Sequence, residues 1–229
     1  MSAAARILDL GGAEALRAVA NGQPAGIVPA ELIAQVAEEG SADYLRGLAD
    51  GYAQAAATHR VESVWSGPHE HTAPVRSTEQ ALVDLVTEST DHLWLMTYSA
   101  RPHQPVLDAL DAARSRGVRL RVVVETLQGA GGALAGVEPA AAFLSVPGVE
   151  LWHWPVGKRP ARSARMHAKI AVADRRTLLV SSANLTQSGT VRNIEAGLLV
   201  RGGTAPRRAT EHLEALVGSG TLARLAVGV

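Results

Sequence analysis

Along the first 58 residues, apolar positions recur at helical spacing. Ile7, Leu10, Leu16 and Val19 form one set and Leu32, Ile33 and Val36 another, with Pro29 near a helix start. Glu38, Glu39, Asp43 and Asp50 would form a solvated face. Residues 1–58 are therefore expected to be a small helical segment. A break follows around Gly67-Pro68 and Ala73-Pro74, and the pattern then alternates. Residues 79–90 predict a helix through Leu82, Leu85 and Val86. Residues 93–98 (LWLMTY) predict a strand, and 105–115 a helix through Val106, Leu107 and Leu110. Residues 119–124 (RLRVVV) and 149–153 read as strands. Residues 169–173 (KIAVA) and 177–181 (TLLVS) read as two strands around the turn Asp174-Arg175-Arg176. A strand over 195–200 and a helix over 208–217 complete the pattern. Strands alternating with helices predict an α/β domain over 59–229, with a mostly buried sheet.

Three of these strands carry polar pairs at their ends. Side chains two apart on a strand share a face. His167 and Lys169 open one strand, Ser182 and Asn184 follow the next, and Asn193 and Glu195 enter the third. If the first two strands pair as a hairpin, an imidazole, an ammonium, a hydroxyl, an amide and a carboxylate gather in one place. That set suits phosphoryl transfer. A phosphodiester needs a nucleophile, donors for its non-bridging oxygens and an acid for the leaving oxygen. Histidine can be neutral and nucleophilic near neutral pH. Lys169, Ser182 and Asn184 are the candidate donors, and Glu195 could accept from the other ring nitrogen. The donors supply the charge, so the scheme requires no metal or other cofactor.

Composition narrows the classes. Hydrophobic residues are 47% of the 229, which excludes a disordered chain. The absence of cysteine excludes a thiolate metal site or a catalytic thiol. No secretory signal or membrane span is predicted, so a soluble cytoplasmic protein without a membrane partner is expected. The 22 basic and 22 acidic residues cancel, but unevenly. Residues 1–58 carry a net −4 and residues 150–210 a net +8. Lys158, Arg159, Arg162 and Arg165 lie just before the polar cluster and are expected to bind phosphate or nucleic acid.

The spacing His167-x-Lys169, four residues, Asp174, then Ser181-Ser182-x-Asn184 and Asn193-x-Glu195 resembles the phospholipase D superfamily, with its HxKxxxxD and GSxN motifs. Ser181 stands where that family usually has glycine. The resemblance implies a mixed sheet flanked by helices, with the small helical segment added in front. It implies that His167 attacks phosphorus to form a phosphohistidine, that Lys169, Asn184 and Ser182 hold the phosphate, and that Glu195 orients the histidine. Asp174 belongs to the motif and is counted with the catalytic residues, with a less direct role. The family reaction uses two histidines, and no second HxKxxxxD occurs in this chain. A homodimer joined through the active site is therefore expected. The N-terminal segment, the run Val64-Trp65-Ser66-Gly67-Pro68 and the run Val75-Arg76-Ser77-Thr78 further resemble the phospholipase D-like component of the DISARM phage-defence system. That implies a nuclease with defence-system partners. A phospholipase or transphosphatidylase, or a non-catalytic nucleic-acid-binding accessory subunit, are the competing readings.

Other features have simpler explanations. The glycines between Gly129 and Gly136 miss the GxGxxG spacing and read as a flexible loop. His69-Glu70-His71 sits in a Pro/Gly-rich connection without further ligands. Trp152 and Trp154 read as core residues or as a base-stacking surface, and Met166 as core.

Overall fold

The computed structural model describes residues 1–67 and 75–226. The tripeptide His69-Glu70-His71 lies outside the described residues. The chain forms two compact units, Met1–Arg60 and Val61–Val229.

The first unit holds three helices, α1 (Ala3–Ala20), α2 (Ala30–Glu39) and α3 (Ala42–Thr58). Ser2 and Ser41 cap α1 and α3, their hydroxyls accepting from Ala5 N and Tyr44 N. The core is Ile7, Leu8, Leu16, Leu32, Val36, Leu45 and Ala49. Leu10, expected to be inward, is 52% exposed. The cause is Gly12, whose φ of 65° kinks α1 and rotates its second half relative to the first. One helical period cannot run through that kink. Glu38, Glu39, Asp43 and Asp50 are exposed as expected, with Asp50 paired to Arg17 at 2.6 Å.

In the second unit, β1 (Arg60–Ser66) and β2 (Arg76–Ser77) precede helix α4 (Thr78–Glu88). Then come β3 (His92–Thr97), α5 (Gln104–Ser115), β4 (Arg119–Val124), the short α6 (Leu127–Ala130) and β5 (Glu150–His153). The chain continues through β6 (Ile170–Ala173), β7 (Thr177–Ser181), β8 (Glu195–Arg201), α7 (Ala205–Gly218) and β9 (Ala223–Arg224). Among the described residues these strands form one sheet in the order β2-β1-β8-β7-β6-β3-β4-β5-β9. Pairing is parallel for β1–β2, β3–β4 and β4–β5, and antiparallel from β3 through β6 and β7 to β8. The sheet is mixed and flanked by helices, as the resemblance implies, and it completes the α/β domain that the sequence pattern predicts.

Strict alternation places the core on both faces. Leu93, Leu95, Leu120, Val122, Val124, Ala171, Leu179 and Leu199 join the layer of α4 and α5. Trp94, Met96, Val123, Val172 and Leu178 join that of Leu213 on α7. Ser77 caps α4 by accepting from Gln80 N, and Pro105 and Pro206 sit in the first turns of α5 and α7. The short edge strands β2 and β9 were not expected. Two residues carry too little pattern to read, and their pairing is non-local.

Register decides which strand ends meet. Met96 near the end of β3 pairs with Ile170 at the start of β6, Ile170 with Val180 near the end of β7, and Ser181 with Gly197 near the start of β8. One edge of the sheet therefore collects residues 97–99, 167–169, 181–184 and 193–195.

Asp174 lies at the opposite edge. Its φ is 53°, and the turn pairs Ala173 with Thr177. Its carboxylate accepts from Thr90 N at 2.8 Å, from Asp91 N and His92 N at 3.0 Å, and from the Thr90 hydroxyl. Burial alone would raise this carboxyl. The backbone N–H donors of His92, Thr90 and Asp91 and the Thr90 hydroxyl outweigh it and hold the group below its ordinary value. The placement of Asp174 with the catalytic residues is thus corrected. β6 separates it from the Lys169 end, so it clamps the hairpin turn to the start of β3. Asp174→Asn tolerates the positive φ and removes the charge. It is expected to cost about 1–3 kcal/mol at pH 7 with little change in turnover. A depressed folded-state pKa contributes stability above the unfolded value and loses it as pH falls. The difference between variant and parent should shrink below about pH 4 in denaturant titrations.

Candidate active site

At the other edge, Lys169 Nζ stands 2.9 Å from His167 Nδ1 and 3.3 Å from Nε2, and donates to the His167 carbonyl at 2.8 Å. A ring nitrogen facing an ammonium accepts rather than donates. Burial lowers the Lys169 pKa, and the Glu195 charge partly opposes the shift. The exposed His167 ring packs against Tyr98, with centroids 4.6 Å apart and planes tilted by 50°. Tyr98 also lies under Lys169 Nζ at 5.5 Å.

Asn184 is oriented by its own hydrogen bond. Ser99 N donates to Asn184 Oδ1 at 3.1 Å, so the oxygen is engaged and the NH2 group is the one left to donate outward. The following loop is pinned: Leu185 N donates to Thr97 Oγ1, and a Cβ on Gly189 would stand 2.5 Å from the Asn184 carbonyl. Glycine is required there by close approach.

Ser182 Oγ donates to Glu195 Oε2 in a short contact and accepts from Ala196 N at 3.2 Å. Asn193 Nδ2 donates to Glu195 Oε1 at 3.3 Å. Both carboxylate oxygens are occupied by neighbours other than His167. The role of Glu195 in orienting the histidine is therefore not seen within one chain, where Glu195 instead holds Ser182 and biases Lys169. The five remaining residues, His167, Lys169, Ser182, Asn184 and Glu195, do gather at one edge. The arrangement offers a nucleophilic nitrogen beside an ammonium, a hydroxyl and a free amide donor. Among the described residues, no cluster of three His, Asp or Glu groups could hold a metal ion.

The basic run behaves differently. Arg159 is buried, and its guanidinium pairs with Glu125 at 2.7 Å. It also donates to the carbonyls of Trp154, Gly129 and Ala164. Its assignment to phosphate or nucleic-acid binding is corrected. Arg165 is engaged by the carbonyls of Ala130, Arg162 and Ala164, and Lys158 Nζ by that of Gly220. A loop without regular structure leaves carbonyls that need donors, and these side chains supply them. Arg162 is exposed and, among the described residues, its side chain has no partner. The two indoles at 152 and 154 pack partly buried against Trp94 and Met166 in the core.

The family model described as cardiolipin synthase, PLD-like domain, matches residues 82–217, more than half of the chain. The chain belongs to the phospholipase D-like superfamily. Nuc from Salmonella typhimurium, a phospholipase D family member, is 19% identical, with a TM-score of 0.55 over 74% of this chain and 99% of its own. NucT from Helicobacter pylori is 16% identical, with a TM-score of 0.55 over 70% and 97%. Phosphatidylserine synthase from Haemophilus influenzae Rd KW20 is 14% identical, with a TM-score of 0.53 over 81% of this chain and 48% of its own. At these identities the shared property is the fold. No curated protein matches the chain in sequence.

Within this phospholipase D-like domain, sequence reasoning passed over Tyr98, Ser99, Arg101 and Glu125. Glu125 is fully buried and accepts from Arg159, from Thr126 N at 2.8 Å and from Met166 N at 2.9 Å. It therefore ties the residue before His167 to the end of β4. Their common cue was available: Tyr98 and Glu125 follow directly on buried strands, and Ser99 and Arg101 lie in the segment just after one, where α/β sheets place functional groups. No helix among the described residues is long and apolar enough to cross a membrane.

Proposed function

We propose that this domain is a phosphodiesterase that acts on nucleic acid through a phosphohistidine. The carrying observation is the gathering of His167, Lys169, Ser182, Asn184 and Glu195 at one sheet edge, with Lys169 Nζ 2.9 Å from the imidazole. A ring nitrogen of His167 attacks phosphorus, and the bond to the leaving oxygen breaks. The leaving oxygen takes a proton from the histidine of a second copy. Water then attacks phosphorus, that second imidazole accepts its proton, and His167 is released. Lys169, the Asn184 amide and Ser182 stabilise the charge on the non-bridging oxygens. The exposed Arg162 and the positive local charge favour a polyanion over a neutral substrate.

The dimer rests on the single histidine motif and on an exposed apolar stripe. Val180 and Leu198 are registered partners at 44% and 49% exposure, and Ile194, beside Glu195, is 75% exposed. Large apolar groups in the open beside a site that needs a second histidine fit a covering copy. Sedimentation equilibrium is expected to give twice the 23.9 kDa chain mass, and Leu198→Glu to shift it toward the monomer. A monomer at all concentrations would overturn the shared site.

A role in antiphage defence, with defence-system partners, rests on the likeness of the 64–68 and 75–78 segments to the DISARM component. The cardiolipin synthase description of the matching family favours phospholipid as the second reading. Activity in EDTA on DNA, RNA and phospholipid panels decides between them, with His167→Ala beside the parent. Release of lipid headgroups without nucleic-acid cleavage would establish the second reading. Silence on every panel would favour a non-catalytic accessory subunit.

A further inference from the structure

Beside the site lies a cleft of about 530 Å³. Its lining includes Ser99 and Arg101 from the segment after β3, and Leu134, Val137, Glu138 and Ala142 from the segment after α6. We propose that this cleft receives the nucleobase next to the phosphate held by Lys169 and Asn184. The inference rests on the nucleic-acid reading above and specifies which part of the substrate is recognised.

Continuity with the site is the first argument. The segment that follows β3 touches both places. Tyr98 packs on His167, Ser99 N holds Asn184 Oδ1, and Ser99 and Arg101 line the cleft. The segment is fixed by the bridge between Ala100 and Leu185 and by Arg101 N donating to the Leu185 carbonyl at 3.0 Å. A phosphate on the Asn184 amide therefore has its neighbouring group at the mouth of the cleft.

Chemistry is the second argument. The walls are aliphatic, and Val137 is 73% exposed, an apolar surface awaiting cover. Two charged groups break that surface. Arg101 is exposed and, among the described residues, its side chain has no hydrogen-bond or ion-pair partner. Glu138 Oε2 accepts from Leu127 N at 3.0 Å, leaving its other oxygen to accept. A base presents an apolar π face that a guanidinium can stack upon, and an edge with both donors and acceptors. An acyl chain presents neither and would set hydrocarbon against two charges. The volume falls within the range of small-ligand sites.

The test reads binding without turnover, using the full chain. Adenosine 5′-monophosphate and ribose 5-phosphate share the phosphate and differ by the base. Calorimetry is expected to show the nucleotide binding at least about tenfold more tightly. Ala135→Trp puts an indole into the cleft from an exposed loop position and should remove that difference while leaving ribose 5-phosphate unchanged. Arg101→Ala should weaken the nucleotide by several-fold. Equal affinities for the two probes would overturn the proposal. So would an Ala135→Trp variant that still prefers the nucleotide, or one that loses only dioctanoyl phosphatidic acid. Catalytic inactivity of the parent would instead count against the nuclease reading and leave these affinities interpretable.

Discussion

Alanine at position 167 is expected to lower phosphodiester turnover by about four orders of magnitude or more. Nucleophiles in covalent mechanisms act as part of a unit, and removing one forfeits nearly all of the chemistry. Lys169, 2.9 Å from the ring, has its ammonium committed to the His167 ring and carbonyl. Ser182 is tied to the Glu195 carboxylate and, among the described residues, touches no imidazole that could activate it as a replacement. The decisive measurement is kcat/KM in EDTA for parent and His167→Ala, with acid-labile phosphate trapped on the parent during turnover. Loss of activity with unchanged melting assigns the effect to chemistry. Residual activity near parental levels would remove His167 from the mechanism. The alkaline limb of the parent's rate profile should lie below the ordinary lysine range, because Lys169 must be cationic to hold phosphate and burial lowers its pKa. Asp174→Asn provides the contrast, since it reduces stability from the far edge of the sheet.

Glu125→Ala is expected to have the largest effect on folding, about 3–5 kcal/mol. The carboxylate has 0% exposure and the Arg159 side chain 1%, so truncation leaves a guanidinium buried without its counter-charge. A domain stable by about 5–15 kcal/mol loses a large share of its margin. Thermal melts should drop by roughly 10 °C or more. Activity should fall in the surviving folded fraction as well, because Met166 N loses its acceptor and the His167 strand end loosens. Gly129→Ala should act in the same direction, since its Cβ would stand 2.2 Å from Glu125 Oε1 and 2.4 Å from Arg159. Replacing the pair together, Glu125→Leu with Arg159→Met, should recover part of the loss by removing both charges. A drop below about 1 kcal/mol for Glu125→Ala would mean that Arg159 reaches water.

Much of the fold was legible because its strands are short, apolar and separated by turn residues. The limits expected for 119–124 and 177–181 coincide with β4 and β7, and other elements shifted by a few residues at their ends. The candidate site was legible for a related reason. His167 and Lys169, Ser182 and Asn184, and Asn193 and Glu195 flank strands that are adjacent in the sheet, so local spacing already implied their meeting. Local order hides contacts made across the fold. Arg159 looked like one more surface cation, because nothing nearby in sequence shows that Glu125, 34 residues earlier, is buried against it. Asp174 looked like a member of the cluster, because motif spacing does not say that a whole strand intervenes. Leu10 reads as inward, because the period hides the Gly12 kink.

The sequence by itself thus determined the alternation of strands and helices, the set of polar side chains offered at the strand ends and the absence of a thiol nucleophile. These depend on residue type and short-range periodicity, which one-dimensional order preserves. Only the tertiary structure decided that Asn184 turns its amide outward, that Glu195 engages Ser182, that Arg159 is structural and that a cleft opens beside Ser99. Each follows from which strands pair and in which register. That is set by the burial of both sheet faces at once, a free-energy balance over the whole domain that no local stretch of sequence contains.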